Sequence, residues 1–128
     1  MSESKLRDLS MDFSVQIINL VKELKAKHES VISNQIGRSG TSIGANIYEA
    51  NYAQGKKDFI SKLEIALKEA SESEYWLELL TETNYIDSKA SDSILEDCRE
   101  LIRLITAIVR TSKENNGLTL NEIMNYEL

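Results

Sequence analysis

The feature that most constrains this chain is the complete absence of proline from its 128 residues. Proline lacks a backbone N–H donor and breaks helix interiors, so a chain without it can form long, uninterrupted helices. Glycine is also scarce, with five residues, which leaves little material for the turns of β-hairpins. Hydrophobic residues make up 41% of the chain, a fraction ordinary for a globular domain with one modest core. These properties favour an all-α protein.

Four segments carry apolar residues at steps of three and four, which is the spacing of an amphipathic helix. The first runs from about Ser4 to Lys27, and the second from about Ser30 to Asn51. The third runs from about Lys56 to Asn84, and the fourth from Ser88–Asp92 to Asn116–Gly117. Because short connections between long helices make neighbours antiparallel, the sequence predicts an antiparallel up-down four-helix bundle.

A C-terminal tail, residues 118–128, follows the predicted bundle of residues 1–117. Thr119 and Glu122 have the spacing of a helix capping box. The apolar residues noted in the tail are Leu118, Ile123, Met124, Tyr126 and Leu128. A segment this short does not hold a helix alone. It either docks on its own bundle, docks on a neighbouring subunit or stays mobile, and we expect docking.

The third helix has a second apolar side opposite its main stripe, formed by Ile65, Trp76 and Leu79. A helix with two apolar sides is either central in its own domain or part of an interface. These three residues are therefore a candidate oligomer interface. Arg38 and Glu49 lie on similar sides of the second helix, and they form either an intramolecular ion pair or an intersubunit contact.

Gly37, Gly40 and Gly44 lie together beside the apolar stripe of the second helix. Each costs up to about 1 kcal/mol in a helix interior, so three on one side need a reason. A phosphate-binding loop is one explanation, but the segment GRSGTSIG lacks the Gly-Lys-Ser/Thr ending of a P-loop. We therefore predict close packing of this helix against a neighbour.

The net charge of −6 is unevenly distributed, with ten acidic and two basic residues between Glu69 and Glu100. In an up-down bundle, the starts of the first and third helices and the end of the fourth share one end. That end collects the basic residues Lys5, Arg7, Lys56, Lys57, Arg110 and Lys113. Overall acidity argues against a general nucleic-acid binder, so any nucleic-acid contact is predicted at this basic end.

Residue types needed for catalysis or metal binding are scarce. Di-metal bundles use Glu-x-x-His pairs on two helices, whereas this chain has one histidine, His28, preceded three residues earlier by Lys25. The single cysteine, Cys98, lies on the apolar seam of the fourth helix, which is a core position rather than that of a nucleophile. We predict a non-enzymatic protein with no catalytic residues, metal or cofactor. A polar N-terminus and the lack of an apolar run of roughly 18 residues predict a cytoplasmic protein with no membrane contact.

The second and third helices also carry a recognisable motif. The pattern Gln-x-x-Arg-Ser-x-x-Ser-Ile-x-x-Asn-Ile-x-Glu-Ala spans Gln35 to Ala50, and Lys57-Asp58-Phe59 and Ala66-Leu67-Lys68-Glu69-Ala70 follow it. These motifs resemble the four-helix-bundle family named for proteins encoded in intervening sequences of 23S ribosomal RNA genes. A more distant similarity links them to the accessory protein of diversity-generating retroelements.

The resemblance implies a non-enzymatic bundle that forms a ring, a homopentamer. From this we predict a scaffold or adaptor that binds copies of itself and a protein partner. For the retroelement branch the resemblance also implies binding to nucleic acid and to a reverse transcriptase. That branch is strongly basic and this chain is acidic. A self-assembling scaffold is therefore the first hypothesis, and a nucleic-acid accessory factor acting with a ribonucleoprotein or reverse transcriptase is the alternative.

Overall fold

Four helices account for most of residues 5–114, the part of the chain that the computed structural model describes. They are α1 (Lys5–Ala26), α2 (Val31–Ala50), α3 (Lys56–Glu82) and α4 (Ser88–Glu114). Each helix packs against the next, and α1 also contacts α4, which closes the bundle. The predicted all-α, up-down four-helix bundle is confirmed. The predicted C-cap at Asn116–Gly117 and the tail 118–128 lie outside the described residues.

The core is filled by the apolar stripes that the sequence predicts. Every helix contributes large, fully buried side chains, namely Phe13, Ile17, Leu24, Ile36, Ile43, Leu63, Leu77, Leu80, Leu101, Ile105 and Ile108. Cys98 is fully buried among them, and its thiol lies 3.4 Å from the backbone carbonyl of Ala70. Its position as a core residue is as predicted. Within residues 5–114, no helix is long and apolar enough to cross a membrane.

Two helices end on a residue with left-handed backbone geometry. His28 follows α1 with φ 64°, and Asn84 follows α3 with φ 65°. In both turns the next residue donates its N–H back into the helix, from Glu29 to the Leu24 carbonyl and from Tyr85 to the Leu80 carbonyl, each at 2.9 Å. This hydrogen bond satisfies carbonyls that a helix end otherwise leaves unpaired. His28 is thus an exposed helix-terminus residue.

The start of α2 is capped by Glu29, which is not among the residues predicted from the sequence. Its buried carboxylate accepts the backbone N–H of Ile32 at 3.0 Å and of Ser33 at 2.7 Å. Ser30, at the N-cap position, makes no side-chain cap bond. A negative charge here also complements the positive end of the helix dipole. The short α1–α2 turn therefore supplies hydrogen bonds to the end of α1 and to the start of α2.

The three glycines of α2 lie against α1. A Cβ added to Gly40 would fall 2.8 Å from Cγ1 of Ile17, and one added to Gly37 would fall 3.3 Å from Cγ2 of Val21. At Gly44 the nearest atom would be the hydroxyl of Ser14, at 3.1 Å. Larger residues at these positions would therefore hold the two helices farther apart.

Candidate functional site

Arg38 and Glu49, the two charged residues of α2 predicted to form a contact, both form ion pairs with α3. Arg38 donates to Glu69 at 3.1 Å and also to Glu72, and these bonds raise the pKa of its guanidinium. Glu49 lies 2.9 Å from Nζ of Lys62. Arg38 and Glu49 thus each form an intramolecular ion pair with a residue of α3 rather than with each other.

Glu72 joins this ion pair to the aromatic side chains of α3. Its carboxylate accepts the indole N–H of Trp76 at 2.9 Å, and this bond, followed by the bond from Arg38, lowers the pKa of Glu72. The Trp76 ring also meets the ring of Tyr75 edge-on, with centroids 5.0 Å apart. Trp76 is therefore held in place by its own helix and by α2 through Glu72.

Two further acidic residues of α3 pair with an arginine of α4. Arg99 donates to Glu74 at 2.7 Å and to Glu78 at 2.9 Å. Two pairs of glutamates on α3 are thus each bound by one arginine, by Arg38 of α2 and by Arg99 of α4. In the described part of the chain, no cluster of three or more histidine, cysteine or acidic side chains is placed to hold a metal ion.

The candidate interface on α3 is less exposed than its sequence pattern suggests. Ile65 is 41% exposed, but Trp76 and Leu79 are partly buried and pack against the core of their own bundle. Those two residues already have apolar neighbours within the subunit. The outward side of α3 therefore offers Ile65 and the exposed ring of Tyr75.

A larger apolar surface, absent from the sequence predictions, lies on α1 and around the end of α2. Met11, Val15 and Ile18 on α1 are 63%, 53% and 45% exposed. Tyr48 on α2 is 58% exposed, and Tyr52, in the turn just after α2, is 70% exposed. We call these five residues the α1–α2 face. Met11, Val15 and Ile18 are spaced at steps of four and three, which places them on one side of a helix. This spacing in the sequence could have predicted the face.

A groove of about 530 Å³, here called the α1–α2 groove, runs within this face. Met11 and Ser14 line it from α1, and Gly44, Ala45 and Tyr48 line it from α2. Small residues at the helix contact leave the space, while Met11 and Tyr48 form its walls. Its remaining lining consists of Ser10 and the charged residues Arg7, Asp8 and Glu49. The groove therefore lies near the start of α1 and the end of α2.

The predicted basic end is partly neutralised by acidic neighbours. Nζ of Lys113 lies 2.7 Å from Glu64, and Lys5 and Arg7 lie 4.0 Å from Glu100 and Asp8 respectively. Lys57 and Arg110 are exposed, and Lys56 is half-buried. The first and third helices begin at this end and α4 ends there, as the topology predicts. Lys5 lies against Glu100, well before the last turn of α4 that carries Lys113, so the clustering of all six cations stays a prediction. The acidic partners reduce the net positive charge at this end of the bundle.

The sequence of the described bundle matches a known family. The profile of the 23S rRNA-intervening sequence proteins matches residues 2–107. The chain belongs to this family. A crystal structure of a protein with unknown function from the S23 ribosomal protein family of Bacteroides thetaiotaomicron is similar to the chain, with 53% sequence identity. It superposes with a TM-score of 0.81, over 83% of this chain and 99% of the other.

Membership of the 23S rRNA-intervening sequence proteins therefore accounts for the fold and leaves the function open. No protein with a curated description shows significant similarity to the chain. The family match ends at residue 107, before the last turns of α4 and before the tail. The α1–α2 face and its groove, by contrast, lie wholly within the matched region.

Proposed function

We propose that this chain is a non-enzymatic scaffold or adaptor that assembles with copies of itself into a ring-shaped homo-oligomer. The observation that supports it is the α1–α2 face, which leaves five large apolar side chains in water on one side of the bundle. Burying one such side chain fully contributes roughly 1.5–3 kcal/mol. Burial of several together offsets the loss of translational and rotational freedom on association.

A ring needs two different surfaces that meet head to tail, since a single self-complementary patch gives a dimer. The α1–α2 face supplies one surface. The outward side of α3, with Ile65 and Tyr75, supplies a second on another side of the bundle. Five subunits, the number that the family resemblance implies, is the ring size we propose.

A non-enzymatic role agrees with the state of the only thiol. Burial raises the pKa of Cys98 to about 12, so the thiol stays protonated near neutral pH. A thiolate is the form of cysteine that acts as a nucleophile. Cys98 therefore contributes to packing rather than to chemistry.

Light scattering coupled to gel filtration tests the proposal. At tens of micromolar, we expect the protein to elute at a multiple of its 14.5 kDa monomer mass. The variant Val15→Arg places a charge in the α1–α2 face without touching the core, so it should lower the mass while leaving the melting temperature unchanged. Val31→Lys, at the exposed first residue of α2, is the matched control and should keep the wild-type mass. A wild-type protein that is only a 14.5 kDa monomer at this concentration contradicts the proposal.

A further inference from the structure

We propose that Tyr75 of one copy binds in the α1–α2 groove of a second copy, with Lys68 of the first copy beside Asp8 and Asp12 of the second. This inference rests on the proposed self-assembly and names the contact between its two surfaces. The groove and the outward side of α3 both belong to the described bundle. Their shapes and their charges each support the contact.

The α1–α2 groove suits an aromatic ring. Met11 and Tyr48 stand on either side, and Ser14, Gly44 and Ala45 leave about 530 Å³ between them. Protein pockets that bind small organic ligands have volumes of about 300–1,000 Å³, so the groove has room for one phenol ring. Such a ring packs favourably against another aromatic ring and against a thioether. The charged part of the groove lining offers its hydroxyl a polar partner.

Tyr75 is an exposed ring on a fixed support. Its side chain is in water, and its ring lies edge-on to Trp76 with centroids 5.0 Å apart. The Trp76 indole donates to Glu72 at 2.9 Å, and Glu72 also accepts a hydrogen bond from Arg38. A side chain that is already supported loses little conformational freedom when it binds. Tyrosines of this kind are typical anchors of protein interfaces.

The charges of the two surfaces are opposite. Lys68 is exposed on the same side of α3, seven residues before Tyr75. Asp12 is exposed on α1, and within residues 5–114 neither Lys68 nor Asp12 forms an ion pair. Asp8 lies 4.0 Å from Arg7, which is the limit of a salt bridge. The groove thus offers carboxylates to an incoming cation.

The spacing along the two helices also agrees. Seven residues of an α-helix rise about 10 Å, which separates Lys68 from Tyr75. The stretch of α1 that lines the groove, from Arg7 to Ser14, has the same length. Long helices in bundles pack at crossing angles of about 20°, so they stay side by side over this distance. With Tyr75 in the groove, Lys68 therefore lies over the part of α1 that carries both carboxylates.

The α1–α2 face of the second copy is the other apolar surface that could cover the groove. Two such faces together would bring Asp8 and Asp12 of one copy towards the same residues of the other, and juxtaposed like charges oppose association. The outward side of α3 brings a cation instead. The contact therefore joins two different surfaces, and heterologous contacts of this kind repeat around an axis to close a ring.

A complementation experiment on the full-length chain tests this contact. Tyr75→Glu places a carboxylate on the outward side of α3, and Ala45→Glu places one in the groove. Each variant alone should be monomeric by light scattering, at 14.5 kDa and tens of micromolar. An equimolar mixture should form a one-to-one heterodimer, because one variant keeps an intact groove and the other keeps Tyr75. Both positions are exposed, so circular dichroism should give both variants the helicity and melting temperature of the wild type.

A charge exchange tests the same contact without altering the ring or the groove walls. Lys68→Glu should raise the dissociation constant of the assembly about tenfold at low salt, because attraction becomes repulsion. Adding Asp8→Lys and Asp12→Lys to that chain should restore the constant to within about threefold of the wild type. Lys89→Glu, at an exposed position on α4, changes the net charge equally and is the matched control, which should keep the wild-type constant.

The outcomes separate this contact from the proposed self-assembly. If the Tyr75→Glu protein keeps the wild-type mass, or if the mixture forms no heterodimer, the contact is wrong and self-assembly itself stands. A triple charge variant that assembles as weakly as Lys68→Glu also overturns the contact. A wild-type protein that is only a monomer overturns self-assembly.

Discussion

Gly40 lies directly against Ile17, so that a Cβ atom on residue 40 would come within 2.8 Å of Cγ1 and 2.9 Å of Cγ2 of that side chain. Ile17 is fully buried, and buried side chains are packed at the density of organic crystals. The separation of α1 and α2 is therefore set by the missing side chain at position 40. The α1–α2 groove lies along the same helix contact, so its shape depends on this close approach.

Replacing Gly40 with alanine should destabilise the protein. The helix propensity of alanine gains up to about 1 kcal/mol, but forcing a methyl group into a packed contact costs about 1–3 kcal/mol. We expect a net loss of about 1 kcal/mol in the free energy of unfolding, measured in urea, and a larger loss for Gly40→Leu. Gly55→Leu is the control for Gly40→Leu, since a Cβ at residue 55 meets no atom within 4 Å. It should lose only what an apolar residue costs at the N-cap of α3, about 1 kcal/mol, and less than Gly40→Leu loses. A Gly40→Ala variant more stable than the wild type would show that the helices separate freely.

Replacing His28 with glycine should stabilise the protein. Left-handed backbone geometry costs an ordinary residue roughly 1–2 kcal/mol, and His28 has φ 64° while its side chain is exposed. After allowing for the greater unfolded-state freedom of glycine, we expect a gain of up to about 1 kcal/mol in thermal or urea unfolding. Asn84→Gly should gain less, because asparagine tolerates this geometry better. His28→Ala should give no gain, and a gain equal to that of glycine would exclude backbone geometry as the cause.

Acid should weaken the contact between α2 and α3 at Glu72. Because the Trp76 indole and Arg38 lower the pKa of Glu72, its charged form stabilises the folded state above the unfolded pKa, near 4.3, and this contribution is lost as the pH falls. We expect Glu72→Gln to reduce stability at pH 7 by about 0.2–1 kcal/mol, the range for exposed ion pairs. The difference from the wild type should shrink at pH 3. Glu82→Gln, at an exposed position on the same helix, is the control and should show a smaller difference at pH 7.

The Cys98 thiol should be inert in the folded protein. Burial raises its pKa to about 12, so its contribution to stability is complete below the unfolded pKa, near 8.5, and is lost as the pH rises towards 12. We expect a disulfide reagent to modify the thiol in denaturant but not in native buffer at pH 8. The unfolding free energy should fall more steeply above pH 9 in the wild type than in Cys98→Ala. Rapid modification in native buffer would mean that the α3–α4 contact opens readily.

The alternative function, a nucleic-acid accessory factor, makes a separate prediction at the basic end. Binding of labelled RNA or DNA, followed by fluorescence anisotropy, should fall steeply with salt because phosphate contacts release counterions. Charge reversal at Lys56 and Lys57 should abolish binding. Reversal at Lys25 and Lys27, near the opposite end of the bundle, is the matched control and should have little effect. If no binding occurs at about 50 mM salt, the scaffold proposal stands alone.

Much of the fold could be predicted because helix periodicity depends on local spacing. The stripes containing Phe13 and Ile17, or Leu101 and Ile105, mark the buried side of each helix without knowledge of its neighbours. The glycines of α2 could also be interpreted from local spacing. Three residues that weaken a helix lie on one side, and close packing against another helix offsets their cost. The family resemblance, drawn from the motif between Gln35 and Ala50, agrees with the profile match over residues 2–107.

The candidate surface was harder to predict because exposure depends on which helix lies beside which. Trp76 and Leu79 looked like an interface on a helical projection, yet neighbouring helices partly cover them. Met11 and Tyr48 were not singled out, although no neighbouring helix covers them. The partners of Arg38 and Glu49 likewise lie on α3, more than ten residues away along the chain, so spacing within α2 could not reveal them.

The sequence by itself determined the helices, their order and their buried sides, because the hydrogen bonds and the hydrophobic period of a helix are local. Tertiary structure alone decided the distance between α1 and α2, the ion-pair partners and the location of the exposed apolar face. Those features arise where side chains from separate helices compete for the same space, as Gly40 and Ile17 do at 2.8 Å. The same competition leaves the groove between Met11 and Tyr48 open at the surface.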